Sequence, residues 1–155
     1  MPKKLAATLS ISEISFTLKP ILSLYLLGNY PESACYFYFD ADIAFYHDVA
    51  EAETMLEQHD FLLTPHFTHP MSDDKIPTEL DILRTGLYNM GFAAFRNSIN
   101  AKRILEWWKE RVLNFGVENH DLGLTADQMW MSLAPLLFEN IGIIRNPGYN
   151  FAYWN

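Results

Sequence analysis

The chain has 155 residues, half of them hydrophobic, with 19 acidic against 11 basic side chains and a formal charge of −8. That size supports one domain with one core, and so much apolar and aromatic content excludes a disordered polyelectrolyte. The acidic balance excludes a general grip on nucleic acid, because phosphate contacts need a basic surface.

Up to about Glu13 no pattern decides: Leu5-Ala6-Ala7 fits a helix, and Ser10-Ile11-Ser12 a turn or short strand. A helix is expected from Ser15 or Thr17, with Pro20 in its first turn, where the missing N–H does no harm. Ile21, Leu22, Tyr25 and Leu26 form its apolar face, and Gly28-Asn29 ends it. Cys35-Tyr36-Phe37-Tyr38-Phe39 then reads as a buried strand that delivers Asp40-Ala41-Asp42 to the carboxyl edge of a sheet. Strand side chains repeat direction every second residue, so if the extended geometry persists, Asp40 and Asp42 face the same way. Two like charges held that close favour a cation between them. Carboxylate oxygens suit Mg²⁺ or Mn²⁺, which in turn hold nucleotide phosphates. The competing reading is a solvated strand end, where Asp commonly starts a turn.

Asp48 is placed to cap a helix through about Gln58, with Glu51 at the capping-box position and Val49, Ala52, Met55 and Leu56 facing inward. Phe61-Leu62-Leu63-Thr64 forms a second strand, and residues 65–77 a long proline-punctuated loop over the site. Thr78 and Asp81 open a short helix that ends near Gly86, and Asn89 to Phe95 is a third strand, with Gly91 where backbone approaches a ligand. Ser98 opens a longer helix with Ile104, Leu105, Trp108, Val112 and Leu113 at helical spacing, closed by Gly116. After a loop from Val117 to Leu124, Thr125 caps a helix through Met129, Leu133 and Leu136, disturbed by Pro135, and Ile141-Gly142-Ile143-Ile144 is a fourth strand. Strands alternating with helices predict a three-layer α/β domain with a mostly parallel sheet.

The lone Cys35 has no internal partner, so a reducing, cytoplasmic compartment is expected. No apolar stretch reaches the roughly 18 to 20 residues of a spanning helix; Leu18 to Leu27 contains Lys19 and Pro20. Nor does a signal-peptide core follow the basic Met1-Pro2-Lys3-Lys4.

Several stretches, in one order, resemble a single group. Phe16-Thr17-Leu18-Lys19-Pro20, the strand ending Asp40-Ala41-Asp42, Leu63-Thr64-Pro65-His66, Tyr88-Asn89-Met90-Gly91-Phe92, Ala126-Asp127-Gln128 and the run from Gly148 to Asn155 are similar to bacterial nucleotide-sugar glycosyltransferases of the GT-A type, the broad group that includes family 8. The resemblance covers about residues 12 to 155 and implies a Rossmann-like GT-A fold. It implies that Asp40 and Asp42 hold a divalent metal, Mn²⁺ or Mg²⁺, and the diphosphate of a sugar nucleotide, a UDP-sugar favoured. Lys19 would face a phosphate or the donor, Asn89 and Gly91 would line the donor-sugar pocket, and His66 and Asn150 join them as substrate-binding residues. Asp127 and Gln128 would sit near the anomeric carbon as the catalytic pair, with carbohydrate or a lipid-linked molecule as acceptor. In this group a strand-helix-strand unit before the Asp-x-Asp strand grips the base, and only 34 residues precede Cys35. A truncated GT-A domain spanning residues 1–155 is therefore expected, with homo-oligomers forming through its exposed sheet edge.

Two rivals stand beside that reading. One is a metal hydrolase using His66, His69 and Asp73 or Asp74, which Pro65 and Pro70 oppose by breaking helical spacing. The other is a catalytically inactive remnant that keeps the transferase core as a binding or assembly module.

Overall fold

A computed structural model describes residues 10–72, 75–116, 118–119, 124–125, 127–149 and 151–152. The first helix among the described residues, α1 (Ile11–Asn29), starts earlier than the sequence reading placed it. Ser10 Oγ accepts from Glu13 N at 3.2 Å, and Glu13 Oε2 accepts from Ser10 N at 2.7 Å, a reciprocal cap that satisfies two donors at the helix end. Pro20 consequently lies in the helix interior, where it withholds a donor from the Phe16 carbonyl. The buried line of α1 is Thr17, Lys19, Pro20 and Ser23, while Leu22 and Tyr25 stay exposed. Apolar periodicity predicted a different rotation. The hydroxyls of Thr17 and Ser23 bond back to the Glu13 and Lys19 carbonyls, so their burial leaves no hydroxyl unsatisfied.

The strands of the main sheet are β1 (Cys35–Phe39), β2 (Phe61–Pro65), β3 (Tyr88–Arg96) and a later short strand, Ile141–Ile143. Between β1 and β2 runs α2 (Ala50–Leu56), and between β2 and β3 runs α3 (Glu79–Thr85). Glu51 does not complete a cap at the start of α2; it accepts instead from Asn146 Nδ2 at 2.6 Å. At α3 the expected start is present, with Thr78 and Asp81 capping each other reciprocally and Gly86 closing the helix.

After β3 come α4 (Ile99–Phe115), a two-residue pair β4 (Glu118–Asn119) and β5 (Leu124–Thr125), then α5 (Gln128–Met131), α6 (Ala134–Leu137) and β6 (Ile141–Ile143). Ser98 and Gly116 bound α4 as expected. The single helix expected from Thr125 is instead two short turns, because Pro135 fits only near the start of a helix and so opens the second one.

The four-stranded sheet has the order β1-β3-β2-β6. β3 runs against both β1 and β2, and only β2 and β6 are parallel. The sheet is mixed and mostly antiparallel, which corrects the expected mostly parallel arrangement. Alternation of strands with helices orders elements along the chain but does not set their direction. Here residues 66–87 bring the chain back beside β2 in the opposite sense, wedging β3 between β1 and β2.

Side-chain alternation divides the interior in two. One face buries Tyr36, Phe61, Leu63, Met90 and Phe95 against Ile104, Leu105, Trp108 and Val112 of α4, and α1 packs on α4. The opposite face buries Leu62, Phe92 and Ala94 against Ala52 and Leu56 of α2. Helices thus cover both faces, as a three-layer α/β domain requires. No helix among the described residues is long and apolar enough to cross a membrane.

Candidate functional site

The carboxyl end of β1 is where chemistry-bearing side chains gather. Tyr38 and Asp40 share the α1-facing side, two residues apart, and the Tyr38 hydroxyl donates to Asp40 Oδ1 at 2.7 Å. Asp40 N donates to the Gly91 carbonyl at 2.8 Å, so β3 sets the position where the strand ends. Beyond Phe39 the extended geometry stops, and Ile43 N closes a turn onto the Asp40 carbonyl at 3.2 Å. The period-two argument for Asp42 therefore does not apply. Asp42 sits in the turn and is exposed, whereas Asp40 is half-buried.

Lys19 reaches this point from α1, and its side chain is 4% exposed. Its ammonium donates to the Met90 carbonyl at 3.0 Å and to Asp40 Oδ2 at 3.2 Å, and lies 3.3 Å from Asp127 Oδ2. The rings of Phe16 and Tyr38 stand 5.3 and 5.8 Å away, within cation–π range. The resemblance has Lys19 facing a phosphate or the donor; in the structure its ammonium lies against the carboxylates of Asp40 and Asp127.

Asp127 is 1% exposed. Its Oδ2 meets the ammonium as a close ion pair, without the alignment of a hydrogen bond. Burial pushes its carboxyl above the usual carboxylate range, and the Lys19 charge pulls it back. Burial likewise pushes the Tyr38 phenol up, assisted by its hydrogen bond to Asp40. The indole of Trp108 donates to the Asp127 carbonyl at 3.3 Å, so the core of α4 holds the residue that precedes α5.

Gln128 Oε1 accepts from Met90 N at 3.3 Å, and Asn89 Oδ1 accepts from Gly91 N at 2.7 Å. Both amide oxygens accept from the start of β3. A Cβ at Gly91 would lie 2.9 Å from Asn89 Oδ1 and 3.4 Å from Asp40 Oδ2, so glycine here makes room for two of the site's own side chains. Gly86, at φ +119°, has the same purpose one step away, since a Cβ there would lie 2.7 Å from the Gln128 carbonyl carbon. His66 is buried and pairs with Leu87 through its backbone N–H; burial lowers its pKa, opposed by hydrogen bonding to the backbone of Leu87 and Gly86. It anchors the connection that abuts Gln128.

The structure therefore brings Lys19, Asp40, Asn89, Gly91, Asp127 and Gln128 together, places Asp42 on the adjoining turn and holds His66 behind Gly86. Asn150 lies outside the described residues, as do Asp73 and Asp74 of the rival hydrolase set. Of that set His66 is buried, while His69 is exposed beside Thr68. Sequence reasoning passed over Tyr38, Trp108 and the Met90 backbone. Tyr38 was legible, because two-residue spacing puts it on the Asp40 side of the strand.

Among the described residues no group of three or more His, Cys, Asp or Glu is arranged to hold a metal. A divalent ion shared with a diphosphate needs fewer protein ligands, and Mg²⁺ commonly takes one or two carboxylates plus phosphate oxygens. Asp40 and Asp42 fit that demand. They supply hard oxygens, Asp42 is exposed, and each Asp40 oxygen keeps a lone pair beyond the one it gives to Lys19 or Tyr38.

No family model matches the chain, and no solved structure matches it. It is 31% identical over 161 residues to the uncharacterized protein YfnF of Bacillus subtilis (strain 168), an alignment covering 98% of this chain and 50% of that protein. It is 24% identical over 145 residues to the uncharacterized protein YfnD of the same organism, covering 92% of this chain and 45% of that one. The chain thus spans about half the length of the curated relatives it matches.

Proposed function

We propose that the chain carries the donor-binding chemistry of a metal-dependent glycosyltransferase that moves a sugar from a nucleotide-sugar, a UDP-sugar favoured, to a carbohydrate or lipid-linked acceptor. One observation carries the reading: Lys19, Asp40, Asp127 and the Asn89–Gly91 stretch of β3, which lie far apart in sequence, meet at the end of one strand. A merely structural ion pair needs one acid for one base. Here an ammonium sits between two acids at the edge of an exposed turn that offers a third.

In the transfer, the bond from the anomeric carbon to the diphosphate oxygen breaks, the acceptor oxygen bonds to that carbon, and the acceptor proton leaves to a base. Asp40 and Asp42 would hold a divalent ion, which would supply charge stabilisation for the departing diphosphate. Lys19 holds Asp40 in place from beneath. Asn89 and Gln128 present amides beside β3 for sugar hydroxyls, and Asp127 supplies negative charge where positive charge develops on the sugar.

Trp108, hydrogen-bonded to the Asp127 carbonyl, is a built-in reporter. Titrating UDP-sugars with Mn²⁺ should change tryptophan fluorescence in a metal-dependent way. The double variant Asp40→Asn, Asp42→Asn should fold but lose that response, and an undiminished response in it would reject the assignment. The pairing of Asp40 and Asp127 with the Lys19 charge favours a second reading, a binding module without turnover. Metal-dependent donor binding with no release of UDP on adding acceptor would select it.

A further inference from the structure

We propose a second site on the opposite face of the sheet, a pocket for a neutral carbohydrate formed by the loop that follows the Asp40–Ile43 turn. It is a cavity of about 380 Å³ between that loop, β1, β3 and residues 146–149, within the size range of small-ligand sites. Its floor is a chain of rings: Phe39 and Phe92 lie 5.2 Å apart, and Phe92 and Tyr149 5.4 Å apart. Phe45 stands edge-on to Phe39 at 4.5 Å yet remains 58% exposed, and Tyr46 beside it is 86% exposed. Large rings left in water around a concavity signal a ligand surface more than a defect of folding.

The polar groups define the ligand. Glu51 and the Asn146 amide are locked together at 2.6 Å at the pocket wall, and Asp48 Oδ1 takes the Ala50 N–H at 3.3 Å. Among the described residues no lysine or arginine lines the pocket, which disfavours phosphates and other anions. The ring pairs meet at 72° and 60° instead of converging face-on, which disfavours a quaternary ammonium cage. Apolar ring faces for C–H groups, with carboxylate and amide acceptors at the edge for hydroxyls, match a sugar ring. Under the transfer reading this pocket would take the acceptor's sugar end. Binding there needs neither metal nor nucleotide, so it stands or falls separately.

The test is saturation-transfer NMR on the whole chain without metal or nucleotide, using cellobiose, maltotriose and chitotriose as probes and choline as the cationic comparison. Transfer from protein aromatic protons to at least one oligosaccharide is expected, with roughly millimolar affinity. Tyr46→Ala and Phe45→Ala should each weaken it about tenfold, while Tyr25→Ala, an exposed ring on α1, should leave it unchanged. The proposal is overturned by silence from all three sugars, by transfer that survives both pocket variants, or by transfer to choline alone. Circular dichroism of each variant separates lost binding from lost folding.

Discussion

The two faces of the sheet at the end of β1 solve opposite problems. On the α1 face a buried ammonium is drawn between the buried Asp127 and the half-buried Asp40, held by Met90, Tyr38 and Trp108. On the α2 face, aromatic rings border a cavity, and two of them, Phe45 and Tyr46, stay exposed. Burial makes the first arrangement rigid and unforgiving, because each charge depends on its partner for solvation. The second tolerates change, because water already covers what a substitution would expose. The contrast is of physical kind, and it can be broken by measurement.

The largest effect is expected from Lys19→Met. It leaves Asp127 buried without its counter-charge, a situation that destabilises by about 3–5 kcal/mol. Urea unfolding measures it; a loss below about 1 kcal/mol would mean the ammonium is not the keystone of that face. Adding Asp127→Asn to Lys19→Met should recover part of the loss, since the lone buried charge is then gone.

Gly91→Ala should act differently. The new methyl would crowd Asn89 Oδ1 and break its bond to Gly91 N, a net loss of about 1 kcal/mol, but an alanine in a strand recovers about 0.5–1 kcal/mol over glycine. Stability should therefore barely change while the Asn89 side-chain amide resonances shift. Full unfolding would show that the backbone, and not the amide, is what glycine protects.

A pH titration sharpens the same contrast. His66 has a folded-state pKa below its ordinary value of 6.5, caused first by burial. The unfolded chain then binds the extra proton more readily, so stability is present above about pH 6.5 and is lost as pH falls towards the folded value, with a slope of at most about 1.4 kcal/mol per pH unit. His66→Gln should flatten the profile between neutral and mildly acid pH, and an unchanged profile would move the titration elsewhere. The smallest effect belongs to Tyr46→Ala, which should shift unfolding by no more than about 0.5 kcal/mol, because that ring is almost fully in water.

Much of the frame was legible without coordinates. The strand positions around Tyr36, Leu62 and Phe92, the caps at Thr78 and Ser98 and the stop at Gly116 each follow from local chemistry, in which a residue's neighbours along the chain decide its state. Helix α1 marks the limit. The Ser10-to-Glu13 cap was readable, but its buried line runs through Lys19, because attraction to Asp40 and Asp127 outweighs the pull of Leu22 and Tyr25 toward the core. The split of the last helix at Pro135 was half-readable, since proline disturbs a helix but does not say on which side the new turn begins.

The sequence by itself determined where most of the strands and helices lie, and which carboxylates, amides and rings the chain has to offer, because those properties are set by a few adjacent residues. Only the tertiary structure decided that β3 slides between β1 and β2 in the opposite direction, that Asp42 falls in the exposed turn where β1 stops, and that Lys19 is shared by two acids. Those outcomes depend on groups distant along the chain competing for one space, and charge pairing across such distances has no local signature.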